Sequence, residues 1–290
     1  MLAPGGEIDQ PGPVADFALA SLRAWPEFVR ELEQESGVVI DYRASGALEV
    51  ALHDAEAATL DAKAARQANF GIRSDTASHS GWYARHYPDD ALVDPRHVTA
   101  ALLTACRRRG VTLHENEPVL DISPLGHSVR TAQGEYEDSG VLIAAGAWSS
   151  RLFPGLTRTM PIRGHLISWS LAPGLLTPIL RNGHTYLLQR RSGVLIAGVT
   201  TENVGFDRAL DPAAIETVRS GAVRLLPELG PRPPENRWNG FRPGIEAPGP
   251  EIRHIEGTSI WTAFGHYRNG ILLAPETATR VAAMLAGTLA

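Results

Sequence analysis

The run Val141-Leu142-Ile143-Ala144-Ala145-Gly146-Ala147-Trp148 constrains the fold more than any other stretch of the chain. Uninterrupted apolar residues ending at a glycine are the pattern of a strand covered on both faces, which belongs to mostly parallel sheets flanked by helices. The preceding segment agrees. Asp94-Pro95 offers an N-cap and an N1 proline to a helix carrying Val98, Ala101, Leu102 and Ala105, with arginines at its end and Gly110 as its stop. Asp94 is therefore read as a cap and not as a catalytic acid. From Val14 to Leu32 apolar residues recur at helical spacing despite Pro26, and Gly37 ends that helix. Short strands are expected at Val111 to Glu115 and Val119 to Ile122, with a hairpin from Ser128 to Asp138 around Gly134. Helix-then-strand order implies α/β layers.

Elsewhere the pattern differs. Val38 to Tyr42 and Ala47 to Leu52 suggest a hairpin turning at Ser45-Gly46, Asp54 to Asn69 suits a helix, and the segment to Asp90 is expected to be loop with strand pieces. After Pro161, strands are expected at Gly164 to Leu171, Thr185 to Gln189, Val194 to Val199 and Asn236 to Arg242, interrupted by one helix from Pro212 to Leu226. This marks a second domain on an antiparallel or mixed sheet, whose face would carry the substrate. The chain closes with a strand from Thr258 to Phe264, the loop Gly265-His266-Tyr267-Arg268-Asn269-Gly270, and a helix from Glu276 to Leu285. Gly265 and Gly270 permit positive φ, Pro275 suits a first helical turn, and a helix start favours an anion or an electron-rich ring edge. By itself the stretch is an ordinary loop-to-helix junction. Met1 to Gly6 has the character of an interior loop.

With 290 residues, 43% hydrophobic, the chain can bury a large core in one or two domains. Its net charge of -5 and scattered basic residues, apart from Arg107-Arg108-Arg109 at a helix end, give no footprint for nucleic acid. The single Cys106 excludes an intramolecular disulfide framework and fits a reducing, cytoplasmic setting. No apolar run approaches the roughly 20 residues of a membrane span. No metal-ligand grouping stands out, and Ser149-Ser150 lacks the setting of a nucleophile elbow.

Several pieces occurring in order resemble the D-amino-acid oxidase and glycine oxidase family of FAD-dependent amine oxidoreductases: Met1 to Pro4, Val93-Asp94-Pro95, Ala144 to Ser149, Pro161-Ile162-Arg163-Gly164, Gly240 to Gly244 and Gly265 to Pro275. Each is weak alone. Together they span nearly the whole chain. The resemblance implies an α/β plus α+β protein: a three-layer Rossmann-like FAD-binding domain in 1–40, 93–160 and 245–290, interleaved with a substrate domain in 41–92 and 161–244. It implies FAD as cofactor and oxidative deamination of glycine, sarcosine or a D-amino acid by hydride transfer, with oxygen reduced to hydrogen peroxide and a place in thiamine biosynthesis. Small amino acid or amine and oxygen would be the partners; self-association stays open.

The same resemblance assigns residues. Arg242 matches the arginine that grips the substrate carboxylate, for which a guanidinium fork is well shaped, although a lone arginine near a turn is more often a surface residue. Tyr186 matches a hydroxyl donor to that carboxylate, with His184 on the same strand face and Arg268 reaching the substrate or flavin edge. Thr201 would line the pocket. Flavin contacts fall to Met1, Leu2, Ala145, Gly146, Trp148, Gly265, His266, Arg268, Asn269, Gly270, Ile271 and Leu272, with Trp148 equally plausible as core.

One departure stands against this. The family carries a βαβ unit with Gly-x-Gly-x-x-Gly just before the Met-Leu-Ala-Pro segment, and no such fingerprint occurs here, so roughly 30 residues or more of that unit are expected to be missing. A misplaced start codon or truncated gene is preferred over a protein short by nature. The alternatives are a D-amino-acid dehydrogenase or sarcosine-type oxidase of the same family, and a non-catalytic remnant unable to hold FAD.

Overall fold

The computed structural model describes residues 1–287. The chain opens with a one-turn helix, α1 (Pro4–Glu7), where the sequence suggested a loop, and continues into α2 (Pro13–Ser36). Gly37 closes α2 in the left-handed conformation, φ 70°. Pro26 lies inside α2, and Trp25 beside it is fully buried, its indole donating to the carbonyl of Leu272 at 3.0 Å.

The expected hairpin at Ser45-Gly46 does not form. Instead β1 (Tyr42–Arg43) pairs with β5 (Leu92–Val93), and β2 (Ala47–Val50) enters a different sheet. Gly46, at φ 73°, carries the chain between them, and a Cβ there would lie 2.6 Å from the His86 ring. After α3 (Asp54–Ala68), the segment expected to be mainly loop is a hairpin of β3 (Asp75–His79) and β4 (Trp82–Tyr87). Its turn residues Ser80 and Gly81 both have positive φ, the geometry of a tight primed turn.

Helix α4 (Pro95–Arg108) is capped as predicted, Asp94 accepting from the N–H of Arg96 at 2.9 Å. Val111 to Glu115 forms no strand, and Val111 is 49% exposed: a β-prone segment with no partner among the described residues stays unpaired. Then follow β6 (Val119–Ile122), β7 (Ser128–Thr131), β8 (Glu135–Glu137) and β9 (Val141–Ile143). Strand β9 is not covered on both faces. It sits at the edge of its sheet; Ile143 is buried, but Leu142 is 41% exposed.

The second half supplies β10 (Thr159–Ser170), β11 (Ile179–Asn182), β12 (Thr185–Gln189), β13 (Val194–Gly198), α5 (Pro212–Leu225), β14 (Asn236–Ile245), β15 (Glu251–Ile255), β16 (Ile260–Phe264) and α6 (Gly270–Leu285). Strands β11 and β15 carry no clear alternation and escaped sequence reading. Helix α6 begins at Gly270, earlier than predicted, so Pro275 lies inside it, and Gly270 itself is helical at φ -52°.

The large sheet runs β14-β10-β13-β12-β11-β2-β4-β3, antiparallel throughout except for the parallel pair β11-β2. Its core is Ile167, Trp169, Leu187 and Leu195 against Val218, Ala222 and Leu225 of α5. The other part stacks α2, α4 and α6 around Phe17, Trp25, Val98, Ala101 and Leu272, beside the sheet β15-β16-β9. The antiparallel sheet β6-β7-β8 packs there through Ile122, Ile143 and Ile260. No described helix is long and apolar enough to cross a membrane.

Candidate active site

The site forms where the long strands β10 and β14 meet the chain start and the loop before α6. Arg242 stands on β14 opposite Ile162, and its guanidinium lies over Gly164, where a Cβ would come within 2.4 Å of Nη2. Tyr186 on β12 stands opposite Gly198 on β13, where a Cβ would come within 2.7 Å of the phenol. Each functional side chain therefore occupies space that a glycine leaves open on the sheet face.

Arg242 Nη1 donates to the carbonyl of Thr200 at 3.2 Å. The Thr200 side chain joins a network built on buried Arg163 and His165. The Thr200 hydroxyl accepts from the His165 N–H at 2.9 Å and donates to Glu202, while Arg163 Nη2 reaches the Glu202 carboxylate at 2.6 Å and Nη1 reaches Asp207 at 2.8 Å. His165 is fully buried, with Nδ1 2.8 Å from Glu202 and Nε2 accepting from the Asp211 N–H.

The opposite wall is the chain start. Leu2 is fully buried and exchanges backbone hydrogen bonds with Ala91 at 2.7 and 2.8 Å. Asp90 Oδ1 accepts from the Gly5 N–H at 3.1 Å, and Oδ2 accepts from Arg181 at 2.5 Å. These contacts place Met1, Ala3 and Glu7 in the lining of a cavity of about 100 Å³, with Tyr186, Val199, Arg242, Arg268 and Asn269 completing it.

Arg268 Nη2 donates to Glu7 Oε1 at 2.9 Å; Arg242 has no carboxylate partner among the described residues. Burial and the nearby charge of Arg268 hold the Arg242 guanidinium below its ordinary pKa range. Burial raises that of the Tyr186 phenol, keeping it a hydrogen-bond donor. The small enclosure thus presents one guanidinium fork and one hydroxyl free to meet an anionic group.

Of the predicted residues, the structure brings Met1, Tyr186, Arg242, Arg268 and Asn269 together. His184 is exposed in the turn before β12 and does not line the cavity, and neither does the exposed Thr201; Val199 takes the pocket position instead. Ala145 and Gly146 follow β9 and open a 3-10 turn (Gly146–Arg151), with Gly146 at φ 55°. Trp148 is 40% exposed and stacks on Phe206 at 4.8 Å, with Phe241 edge-on at 6.2 Å, so it is neither core nor in the cavity lining. Glu7 was missed: an acid placed on a single helical turn has no periodic signature. The Pro4-Gly5-Gly6 turn marks its place only in retrospect.

Gly265, at φ 82°, packs so closely on Ile245 that a Cβ would lie 2.5 Å from its side chain. Together with His266 and Asn269 it borders a second, larger cleft of about 370 Å³ that includes Met160, Ile162 and Pro248. The loop therefore separates two cavities, and α6 begins there with Gly270, Ile271 and Leu272. Burial lowers the His266 pKa to about 4, leaving its imidazole neutral beside Thr277, 3.0 Å away.

A profile described as DAO: FAD dependent oxidoreductase matches residues 1–284. The chain belongs to that family. It is 33% identical to the bifunctional protein ThiO/ThiG of Synechocystis sp., across 98% of this chain and 44% of that one. It is 32% identical to the glycine oxidase of Bacillus licheniformis, across 99% of this chain and 81% of that one. Among solved structures, glycine oxidase from Geobacillus kaustophilus superposes with a TM-score of 0.92 at 26% identity, covering all of this chain and 83% of that one. These matches bear out the expected mixed α/β architecture and the FAD-dependent oxidoreductase class.

The residues present fit the ring end of FAD. Helix α6 opens with Gly270, Ile271 and Leu272, a first turn whose N–H groups and dipole suit the electron-rich edge of a flavin. The neutral His266 adds no competing charge, and Arg268 and Asn269 join this loop to the small cavity.

Proposed function

We propose that this protein oxidises a small amino acid or amine, of the class of glycine, sarcosine or a D-amino acid, to an imine that hydrolyses to the 2-oxo acid, with oxygen as electron acceptor and hydrogen peroxide as product. The observation that carries this reading is Arg242: a guanidinium in a cavity of about 100 Å³, with a single backbone acceptor and no carboxylate partner among the described residues.

In this reading Arg242 binds the substrate carboxylate through its free fork, a charge-assisted pairing stronger than a neutral hydrogen bond. Tyr186 donates its hydroxyl to the same group. Gly164 and Gly198 let both side chains lie flat, and the Glu202 network fixes the Thr200 carbonyl that aims Arg242. Anchored at one end in so small an enclosure, the substrate has its α-carbon directed toward the Arg268-Asn269 loop, where orientation does most of the catalytic work. When bound, FAD supplies the acceptor for the α-hydrogen and its electron pair and passes the electrons to oxygen. Gly270, Ile271 and Leu272, with the α6 dipole, would hold the flavin's ring edge and favour negative charge there.

The division into a cofactor part (1–40, 93–160 and 245–290) and a substrate part (41–92 and 161–244) belongs to the same proposal, supported by the large sheet drawing its strands from Ala47–Tyr87 and Thr159–Ile245. A place in thiamine biosynthesis and in the cytoplasm is part of it as well. The test is to supply FAD and measure peroxide and 2-oxo acid from glycine, sarcosine and D-alanine. Equal amounts of the two products from at least one substrate are expected; flavin-loaded protein that yields neither product from any of them contradicts the proposal.

A further inference from the structure

Glu7 is an acid in a cavity whose proposed task is to bind an acid. Its position is fixed from several sides. Gly5 donates to Asp90, Gln67 Nε2 donates to the carbonyls of Gly5 and Ile8 at 3.0 and 2.8 Å, and Arg181 lies close over Gly6, where a Cβ would be 2.8 Å from the guanidinium. A Cβ on Gly5 would collide with the Tyr87 ring at 2.3 Å. Residues Pro4 to Glu7 are therefore clamped, and the Glu7 carboxylate is delivered to Arg268 with little freedom to leave.

This pairing divides the two cavity arginines. Arg268 is neutralised by Glu7, while Arg242 is left for a ligand. The charged side chains of the lining are two guanidiniums and one carboxylate, and burial lowers the pKa of the Met1 amino group there to about 6, leaving it mostly neutral at pH 7, so the net charge matches a single added carboxylate. A second acidic group would have to displace Glu7 from Arg268 or lie beside its carboxylate, and like charges at such range in a partly desolvated site repel strongly. The clash is a means of discrimination, since specificity is set by what a site rejects as well as by what it holds.

We propose that Glu7 is a specificity-determining residue that restricts the cavity to amines with one carboxylate and excludes dicarboxylates. This rests on the reading of Arg242 as the carboxylate anchor. Removing the charge of Glu7 at constant size frees Arg268 for a second acidic group.

The test measures binding of glycolate and malonate to the flavin-loaded protein by calorimetry, and kcat/KM for glycine and iminodiacetate, in the wild type, Glu7→Gln and Arg242→Ala. In the wild type glycolate should bind at least tenfold more tightly than malonate. Glu7→Gln should shift the malonate-to-glycolate affinity ratio and the iminodiacetate-to-glycine kcat/KM ratio by tenfold or more toward the dicarboxylate. Unchanged ratios, with all ligands weakened alike, would overturn the proposal and make Glu7 a purely structural residue. If Glu7→Gln does not fold, the wild-type comparison decides: malonate binding as tightly as glycolate overturns it. Arg242→Ala separates the two levels, since unaltered glycolate binding there removes the anchor itself, whereas lost binding with unmoved Glu7→Gln ratios sinks the specificity claim alone.

Discussion

Arg242 and Gly164 share one space: the guanidinium lies where the Cβ of any other residue at 164 would project, 2.4 Å from Nη2. Gly164→Ala must push Arg242 off the sheet face while leaving the β10-β14 pairing in place. A rise in KM of about tenfold, corresponding to about 1.4 kcal/mol of lost carboxylate binding, is expected with a small change in unfolding midpoint. Steady-state kinetics beside a urea melt check it.

This pairing also shows how far the sequence could be read. Arg242 and Gly164 both lie in segments that the family resemblance picks out, but only the register places one over the other, and cross-strand contact between residues so far apart in sequence leaves no local trace. Helices with caps and stops, such as α4 with Asp94 and α2 with Gly37, were legible because their signals are short-range. The apolar run at β9 was legible as a strand but not in its cover, because burial of Leu142 depends on what lies beside the strand and not on its own residues. Val111 to Glu115 failed for the same reason. Glu7 was invisible to periodicity for want of length, and the β3-β4 hairpin showed only as strand pieces in a loop because its strands alternate weakly.

Asp90 and Arg181 form a buried ion pair, 2% and 4% exposed, that holds the Gly5 N–H and continues through Glu49 to Lys63. Asp90→Ala leaves Arg181 without its nearest counter-charge in the interior. The expected loss is about 3 kcal/mol of unfolding free energy by denaturant titration, together with a raised KM as the Glu7 wall loosens.

His266 gives a pH signature. Its folded pKa of about 4 lies below the ordinary 6.5, so between these values the unfolded chain binds the proton and the folded one does not. The stabilisation is present above pH 6.5 and is lost as pH falls toward 4. His266→Gln should flatten the acid side of the stability profile by on the order of 2 kcal/mol across that window. Urea titrations at pH 4.5 and 7.5 measure it: equal acid sensitivity in variant and wild type would show that His266 is not the group responsible.

The central claim is that Arg242 anchors the substrate carboxylate, and Arg242→Ala in flavin-loaded protein tests it most directly. The measurement is KM for glycine alongside the flavin content of the same sample. The predicted result is a KM raised by about thirtyfold or more, the loss of about 2 kcal/mol expected for a desolvated charge-assisted pair, with flavin content unchanged. A KM equal to that of the wild type would contradict the account.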